Sequence, residues 1–281
     1  MKYSGDKFKR HLARGFIYAF CIIIAISAFF PFYSMLISSS HSAFHILTRL
    51  NLLPGDQFIR NYERLTVNMN IWRGMLNSLM VAAADTSITV YFSLLTAYAF
   101  AKFRFKGRDA LFMLIIISMM LPGQLGIIGF FRQMSAYGFL NTYWPMILPS
   151  IASTGSVFFL KQYLDGALPD EIIESAYVDG CREITIYHKL VIPMSMPGIV
   201  TIAVMSFIGS WNSYLTPLIM LRSPSMFTLP LMIATVRDAL HADYGALFMG
   251  LLVSTLPLVI VFMFSSKVIM EEISIGAAVK G

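Results

Sequence analysis

Residues 174–197 read ESAYVDGCREITIYHKLVIPMSMP, a polar stretch between two long apolar runs of the chain. The preceding residues 168–171, LPDE, predict the start of a helix, because proline is tolerated at the first helical position and acidic residues suit the positive end of the helix dipole. Gly180 predicts its end, because glycine readily takes the left-handed conformation that closes a helix. A helix of about eleven residues, roughly 16 Å long, is therefore expected here.

A second helix is expected from about residue 182 to residue 192. Pro193 predicts its end, and Pro197 leads into the next apolar run. One side of this helix is predicted to be apolar, made by four residues at helical spacing: Ile184, Tyr187, Leu190 and Val191. The two helices together are expected to form a rigid elbow that holds the first helix out from a membrane.

This elbow has two interpretations, docking on a soluble partner or lying on the inner leaflet of the membrane. The segment is rich in acidic residues, which are Asp165, Asp170, Glu171, Glu174, Asp179 and Glu183. Because these carboxylates would face an anionic lipid surface in the second interpretation, docking on a soluble partner is favoured.

Six long apolar runs indicate a membrane protein. Charged residues make up 13% of the 281 residues and hydrophobic residues 57%, so a soluble fold could not bury the apolar surface. A helix needs roughly 20 apolar residues to cross a hydrocarbon core of about 30 Å. Such runs lie near residues 16–38, 75–101, 110–131, 143–162, 197–221 and 246–266. The sequence therefore predicts an all-α polytopic fold with six transmembrane helices.

Positive charges place both ends of the chain in the cytoplasm. With the N-terminus inside, fourteen of the 21 Lys and Arg residues fall in cytoplasmic segments: Lys2, Lys7, Lys9, Arg10, Arg14, Lys102, Arg104, Lys106, Arg108, Lys161, Arg182, Lys189, Lys267 and Lys280. Because retained positive charge sets orientation, N-in and C-in is predicted. The net charge of +6 then reflects the Lys and Arg residues beside the inner leaflet, and it gives little support to nucleic-acid binding.

No catalytic or metal site stands out in the sequence. Cys21 and Cys181 are the only cysteines, too few for a disulfide framework. His41 and His45 have i, i+4 spacing, but no third metal ligand follows at a convincing distance along the chain. The sequence contains no G-x-x-x-x-G-K-[ST] phosphate loop and no nucleophile elbow. The chain is therefore not predicted to hydrolyse ATP or to be an enzyme.

The polar stretch resembles the cytoplasmic coupling motif, often called the EAA loop, of the permease subunits of bacterial ABC importers. The resemblance rests on six fixed points: Glu174, Ala176, Asp179, Gly180, Pro193 and Pro197. Ser175 and Cys181 stand where alanines are usual, but both are small. On this basis residues 164–196 form a coupling loop within a single permease domain, residues 1–281.

The resemblance implies contact between this loop and an ATPase. In related permeases the first helix sits in a cleft of the ATPase subunit, and the glutamate at the position of Glu174 contacts a basic group there. The residues expected to carry the coupling are Glu174, Ala176, Asp179, Gly180, Tyr187 and Pro193. An ATPase that closes on ATP would grip the helix and move the attached spans.

Other segments resemble the maltose-type carbohydrate permeases, in particular the smaller of their two permease subunits. They are NSL at 77–79, MLPGQ at 120–124, GFLNTY at 138–143, WNSYLTPL at 211–218 and GAAVKG at 276–281. The family implies a second six-span permease, two ABC ATPase subunits or a homodimeric ATPase that bind ATP and Mg, and an extracellular sugar-binding protein. It also implies the bacterial inner membrane as the location.

Four residues are candidates for a substrate pathway. Asp85 is the only charged residue well inside an apolar span. It either faces the bundle interior or makes a structural hydrogen bond to a neighbouring helix, unless the span begins later along the chain. Trp211, Asn212 and Tyr214, within the fifth span, combine aromatic rings and an amide that suit sugar binding, although Trp and Tyr are also typical of interfacial belts. Residues 122–123, Pro-Gly, either unwind the third span beside a cavity or kink it.

The sequence thus predicts a multi-pass permease subunit of an ATP-driven sugar importer that works by alternating access. Two alternatives remain open. The same machinery could import glycerol phosphate or another polar solute, or the chain could be a secondary transporter that couples an ion gradient to transport through Asp85.

Overall fold

The computed structural model describes the backbone of residues 3–239 and 243–279 and the side chains of residues 14–67, 69–235 and 243–266. These residues form helices and connecting turns, and no strand occurs among them. The described chain divides into two compact units. The first comprises the described parts of Met1–Asn70 and Ile233–Val253, and the second those of Ile71–Met232 and Ser254–Gly281. The prediction of an all-α fold is confirmed for the described residues.

The first unit is built from helices that begin before the second apolar run. They are α1 (Tyr3–Ser38), α2 (Ala43–Thr48) and α3 (Phe58–Asn68), with the adjoining parts of α14 (Leu229–Ala239) and α15 (Tyr244–Val279). The buried amide of Asn61 holds the turn after α1, because its Nδ2 donates to the carbonyl oxygens of Ser39 at 2.7 Å and His41 at 2.9 Å. Its Oδ1 accepts from Arg64 at 2.7 Å, and Arg64 also pairs with Asp243 at 2.9 Å.

Gly245, in the first turn of α15, packs directly on the amide of Asn61. A Cβ atom added at Gly245 would lie 2.6 Å from the Oδ1 atom of Asn61. We expect Gly245→Ala to destabilise the protein by about 1–3 kcal/mol, because overpacking must displace a fully hydrogen-bonded side chain. The apparent unfolding temperature of the detergent-solubilised protein measures this effect. Gly129→Ala, on α6 with no atom within 4 Å of the added Cβ, is the matched control and should leave that temperature unchanged or raise it.

The second unit contains the remaining helices. They are α4 (Ile71–Lys102), α5 (Arg108–Met119), α6 (Ile127–Ala136), α7 (Trp144–Ile147), α8 (Thr154–Ala167), α9 (Asp170–Val178), α10 (Glu183–Ile186), α11 (Ile192–Met194), α12 (Met196–Trp211) and α13 (Leu215–Met220). Short 3-10 segments cover Gly123–Gly126, Leu148–Ala152 and Pro224–Met226, and Tyr187–Val191 is a π-helical turn. The long helix α4 packs along α8 and α12.

The core of this unit joins the membrane helices to the elbow. Its buried members come from α4, α8, α12 and the segment that runs from α9 through the π turn. They include Leu94, Leu160, Leu164, Ala176, Tyr187, Val191 and Ile202. Because residues of α9 and of the π turn share this core with α4 and α8, the elbow is packed onto the helical body and is not a free loop.

Three of the described helical segments are long and apolar enough to cross a membrane, namely Arg14–Ser38, Ile71–Lys102 and Tyr244–Ser266. Two further pairs qualify only if each bent pair counts as one span. The first pair, Arg108–Met119 and Gly123–Ala136, is bent by 91°, and the second, Glu183–Met194 and Met196–Trp211, by 78°. Helices therefore match the first, second and sixth expected spans closely, and the expectation of six spans remains a prediction.

The third, fourth and fifth apolar runs are interrupted, whereas the sequence analysis considered an interruption only in the third. Residues 143–162 contain α7, a 3-10 segment and the start of α8, with Pro145 and Pro149 in the first two. In the fifth run, α12 ends at Trp211 and α13 begins at Leu215. Pro217 has no N–H to donate to the carbonyl four residues earlier, so a continuous helix through this point would lose a hydrogen bond.

Candidate functional site

The start of α9 is fastened to the end of α4. Pro169 precedes the first helical residue, Asp170, as the sequence predicts for a helix start. Lys102, the last residue of α4, places its Nζ 2.5 Å from the Oδ1 atom of Asp170 and also donates to the carbonyl oxygen of Leu168. The hydrogen bond from Lys102 lowers the pKa of Asp170 below its ordinary value. The carboxylate therefore stays charged at neutral pH and keeps α9 anchored to α4.

The end of α9 confirms the predicted role of Gly180. The helix ends at Val178, and Gly180 takes the left-handed conformation with φ of 75°. The N–H of Cys181 donates to the carbonyl of Ala176 at 3.0 Å, and that of Gly180 to the carbonyl of Tyr177 at 3.0 Å. This pair of hydrogen bonds is the Schellman motif, which satisfies the last carbonyls of a helix.

The carboxylate of Glu183 joins three helices. Its Oε1 accepts a hydrogen bond of 2.6 Å from the hydroxyl of Tyr98 on α4, and its Oε2 accepts one from the hydroxyl of Tyr177 on α9. The hydrogen bond to Glu183 raises the pKa of Tyr177, because it stabilises the protonated phenol. Glu183 itself begins α10, so one side chain fixes the angle between the two arms of the elbow.

We expect Tyr98→Phe to lower the stability of the protein by about 1–3 kcal/mol, because it removes a hydrogen bond to a charged group. A double-mutant cycle with Glu183→Gln should give a coupling energy of about 0.5–3 kcal/mol between the two side chains. Thermal unfolding of the solubilised protein measures both quantities. Tyr137→Phe, an exposed tyrosine after α6, is the control. Additive effects of Tyr98→Phe and Glu183→Gln would show that this hydrogen bond does not hold the elbow.

The second arm of the elbow contains a π-helical turn that the sequence did not predict. Residues Tyr187–Val191 continue from α10 into α11, and the helical segment ends at Met194, one residue beyond Pro193. The wider turn changes which residues share a side. Tyr187 and Val191 are buried, whereas Ile184, which was expected on the same apolar side, is 58% exposed. Tyr187 also donates a hydrogen bond to the backbone oxygen of Tyr91 at 3.0 Å.

The predicted coupling residues fall into two groups. Ala176 and Tyr187 are buried in the core, whereas the other four are exposed: Glu174, Asp179, Gly180 and Pro193. We define the α9 surface as the exposed residues of this helix that share helical spacing, which are Glu171, Glu174, Tyr177 and Val178. Val178 is 88% exposed. Exposed apolar groups beside carboxylates suit contact with a protein surface that carries basic residues.

A cavity of about 640 Å³ lies in the second unit, beside the middle of α4. Asp85 lines it and accepts a hydrogen bond from the hydroxyl of Ser150. Asp85 therefore lines a cavity and also bonds to a neighbouring segment, and its role in a substrate pathway remains a prediction. Further hydroxyl groups line the same cavity, namely those of Ser153, Ser206, Ser210, Ser213, Thr216 and Thr228. The only aromatic side chain on the described lining is Phe130.

The break in the third apolar run also borders this cavity. The helix α5 ends at Met119, and a 3-10 segment, Gly123–Gly126, separates it from α6. Gly123 and Gly126 both line the cavity. Of the two alternatives for Pro122 and Gly123, an interruption of the helix beside a cavity is the one that the structure has.

Trp211, Asn212 and Tyr214 lie outside the described lining of the cavity. Trp211 is the last residue of α12, 1% exposed, and its Nε1 donates to the backbone oxygen of Ser254 on α15 at 3.1 Å. Asn212 and Tyr214 are exposed in the break between α12 and α13. Placing Trp211 and Asn212 in the middle of a helix was wrong, because the helix stops there. Their role in transport remains a prediction.

The sequence analysis missed the hydroxyl side of α12. Ser206, Gly209, Ser210 and Ser213 are spaced by three or four residues, so they share one face of the helix and its end, and all four line the cavity. A stripe of small hydroxyl residues within an apolar run was the available signal. Aromatic residues, which also suit sugars, gave the more conspicuous pattern in the sequence.

Residues 89–272 match a protein family described as binding-protein-dependent transport system inner membrane component. The match covers the elbow and most of the cavity lining, but it begins after Asp85. The chain belongs to this family. It is therefore a multi-pass inner-membrane permease component of an ABC transporter, and the predicted family is confirmed. The assignment of the polar stretch as a coupling loop remains a prediction.

Individual relatives match nearly the whole chain. The arabinooligosaccharides transport system permease protein AraQ of Bacillus subtilis (strain 168) is 31% identical over 266 residues, covering 93% of this chain and 94% of AraQ. The lactose transport system permease protein LacG of Rhizobium radiobacter is 30% identical over 245 residues, covering 87% of this chain and 89% of LacG. The fold is also similar to a chain in the crystal structure of a bacterial ABC transporter involved in the import of the acidic polysaccharide alginate. The TM-score is 0.77 at 22% identity, and the match covers 91% of this chain and 96% of that one.

Proposed function

We propose that this chain forms half of the translocation pathway of an ATP-driven sugar or oligosaccharide importer. The observation that carries the proposal is the cavity beside Asp85, whose lining is rich in hydroxyl groups. Hydroxyls that donate and accept hydrogen bonds match the groups of a sugar. AraQ and LacG, which cover most of the chain, are named for arabinooligosaccharide and lactose transport. Both names support a sugar as the solute.

The topology we propose is the six-span, N-in and C-in arrangement, with residues 1–281 as one permease domain. The distribution of Lys and Arg supports it. In this arrangement residues 164–196, which contain α9, lie on the cytoplasmic side. The interrupted runs are compatible with spanning segments, because non-helical backbone is tolerated at membrane depth where it lines a cavity.

The α9 surface is the proposed docking site for an ATPase subunit. Glu174 and Asp179 supply charge, Gly180 closes the helix, and Ala176 and Tyr187 tie it to the core. Pro193 lies just before the 78° bend that leads into α12. Because α12 lines the cavity with Ser206 and Ser210, a movement of the elbow is passed directly to the pathway.

The proposed assembly contains a second six-span permease, two ABC ATPase subunits or a homodimeric ATPase, and an extracellular sugar-binding protein. ATP and Mg would bind to the ATPase subunits, since this sequence has no phosphate loop. Within the pathway, Asp85 faces the solute directly. Asn212 and Tyr214 are proposed to face the second permease or the solute, and Trp211 to anchor α12 on α15.

Uptake of radiolabelled arabinotriose into proteoliposomes tests this function. The vesicles contain the complete complex. The binding protein is added on the extracellular side of the permease, and ATP is supplied on the side of the ATPase subunits. We expect uptake that requires both ATP and the binding protein. Replacing the ATPase by a variant that cannot hydrolyse ATP should abolish it. Uptake that persists without ATPase subunits in the presence of an ion gradient would instead support a secondary transporter coupled through Asp85, and uptake restricted to glycerol phosphate would replace the sugar.

A further inference from the structure

The cavity beside α4 has an unusual charge composition. Asp85 is the only ionisable side chain on its lining as far as the structure describes it, and the other polar groups there are neutral hydroxyls. The arginines nearest in sequence to the lining segments, Arg73, Arg132 and Arg222, are exposed and do not belong to the lining. The described lining therefore carries one carboxylate and no basic side chain.

Asp85 retains capacity for further interactions. The hydroxyl of Ser150 donates to its Oδ1 atom, and a carboxylate has about four acceptor positions. Thr228 also lines the cavity with a hydroxyl that is unused among the described residues. Its side chain is 4% exposed, and its Oγ1 has no hydrogen-bond partner there.

From these observations we propose that the carboxylate of Asp85 makes the cavity a filter against anions, so that the solute is an uncharged or cationic sugar. This inference rests on the proposed transport function. A charge at the wall of a low-dielectric cavity raises the local concentration of cations and lowers that of anions. Uronates and sugar phosphates would be repelled, whereas a neutral oligosaccharide would bind through the hydroxyls. The chain would then differ in solute charge from its structural relative that imports alginate, an acidic polysaccharide.

Thiol labelling measures the potential in the cavity without knowledge of the solute. Ser213→Cys places a thiol on the lining, in a background where Cys21 and Cys181 are replaced by serine. The assembled complex in nanodiscs is treated with a cationic methanethiosulfonate reagent that carries trimethylammonium and, separately, with an anionic one that carries sulfonate. The ratio of the two labelling rates reports the sign of the potential. Ser135→Cys, an exposed position at the end of α6 and off the described lining, is the matched control.

We expect the cationic reagent to be favoured at position 213. Asp85→Asn should lower the ratio of the two labelling rates at least about fivefold, because loss of the carboxylate charge removes both the attraction of the cation and the repulsion of the anion. Asp85→Glu keeps the charge and should keep the ratio. The ratio at position 135 should not respond to either change. A ratio at position 213 that is insensitive to Asp85→Asn would overturn the proposal. So would a thiol that neither reagent labels in any nucleotide state, because the cavity would then be closed to solutes.

A transport assay separates failure of this inference from failure of the proposed function. Proteoliposomes with the complete complex receive arabinotriose, which is neutral, or trigalacturonate, which is acidic. We expect ATP-driven uptake of the neutral trisaccharide only. Preferential uptake of trigalacturonate would overturn the anion filter and leave ATP-driven sugar import standing. ATP-independent uptake combined with the expected labelling ratios would overturn the import mechanism and leave the filter standing.

Discussion

Glu174→Lys is expected to lower ATP-dependent uptake at least about tenfold while the protein remains folded. Glu174 is exposed on the α9 surface, and no described residue bonds to its carboxylate, so its replacement costs the isolated chain little. A hydrogen bond from a basic group of the ATPase would contribute about 1.5–3 kcal/mol, and about 1.4 kcal/mol corresponds to a factor of ten in affinity. Reversing the charge of residue 174 removes this contact and makes the new lysine repel the basic group of the ATPase.

Two measurements locate the defect. Co-purification of the ATPase with the permease reports assembly, and uptake of labelled sugar per ATP hydrolysed reports coupling. Asp109→Lys changes the net charge of the chain equally at an exposed carboxylate in the first turn of α5, on the side that we propose to be cytoplasmic. This control should leave both quantities unchanged. Equal losses in the two variants would mean that overall charge matters and that Glu174 has no specific partner.

The elbow could be predicted from the sequence because its signals are local. Pro169 and Asp170 begin a helix and Gly180 ends it by rules that involve only a few neighbouring residues. The π turn could not be predicted in this way. It depends on how Tyr187 and Val191 fit between α4 and α8 in the core, and that packing overrides the regular helical period. The exposed position of Ile184 follows from this tertiary effect.

The breaks in the apolar runs show that hydropathy alone does not predict where a helix is interrupted. A long run of apolar residues indicates that a segment is buried in lipid or protein, but it does not require the helix to be continuous. Pro122 and Gly123 gave a local signal, which left a break or a kink open as alternatives there. In the fifth run the stop at Trp211 depends on Pro217, several residues later, and on the contact of Trp211 with α15. The sequence offered no direct sign of that contact.

The candidate pathway was predicted only in part. Asp85 was found because a charge within an apolar run is rare. Trp211 was favoured because aromatic rings suit sugars, yet its ring is buried and its N–H bonds to Ser254, so it serves helix packing in the structure. The hydroxyl groups of Ser206 and Ser210 line the cavity instead. Serine is common in membrane helices for several reasons, and only the positions of the neighbouring helices reveal which serines face the cavity.

Gly180→Val is expected to uncouple ATP hydrolysis from transport without unfolding the protein. Gly180 has φ of 75°, a conformation that costs an L-residue roughly 1–2 kcal/mol and a β-branched residue more. A Cβ atom at this position would meet no atom within 4 Å, so the cost arises from the backbone and not from a clash. The Schellman hydrogen bonds to Ala176 and Tyr177 would relax this strain by shifting, and α9 would tilt away from its partner.

The chain provides a closely matched control for this prediction. Gly138 closes α6 with φ of 73° and the same pair of hydrogen bonds, and it too has open space around it. Gly138→Val should therefore lower the unfolding temperature as much as Gly180→Val, but only the change at Gly180 should weaken co-purification with the ATPase. Gly180→Asn should restore much of the coupling, because asparagine tolerates the left-handed region. Normal uptake by Gly180→Val at normal expression would show that the angle of α9 is not what transmits the motion.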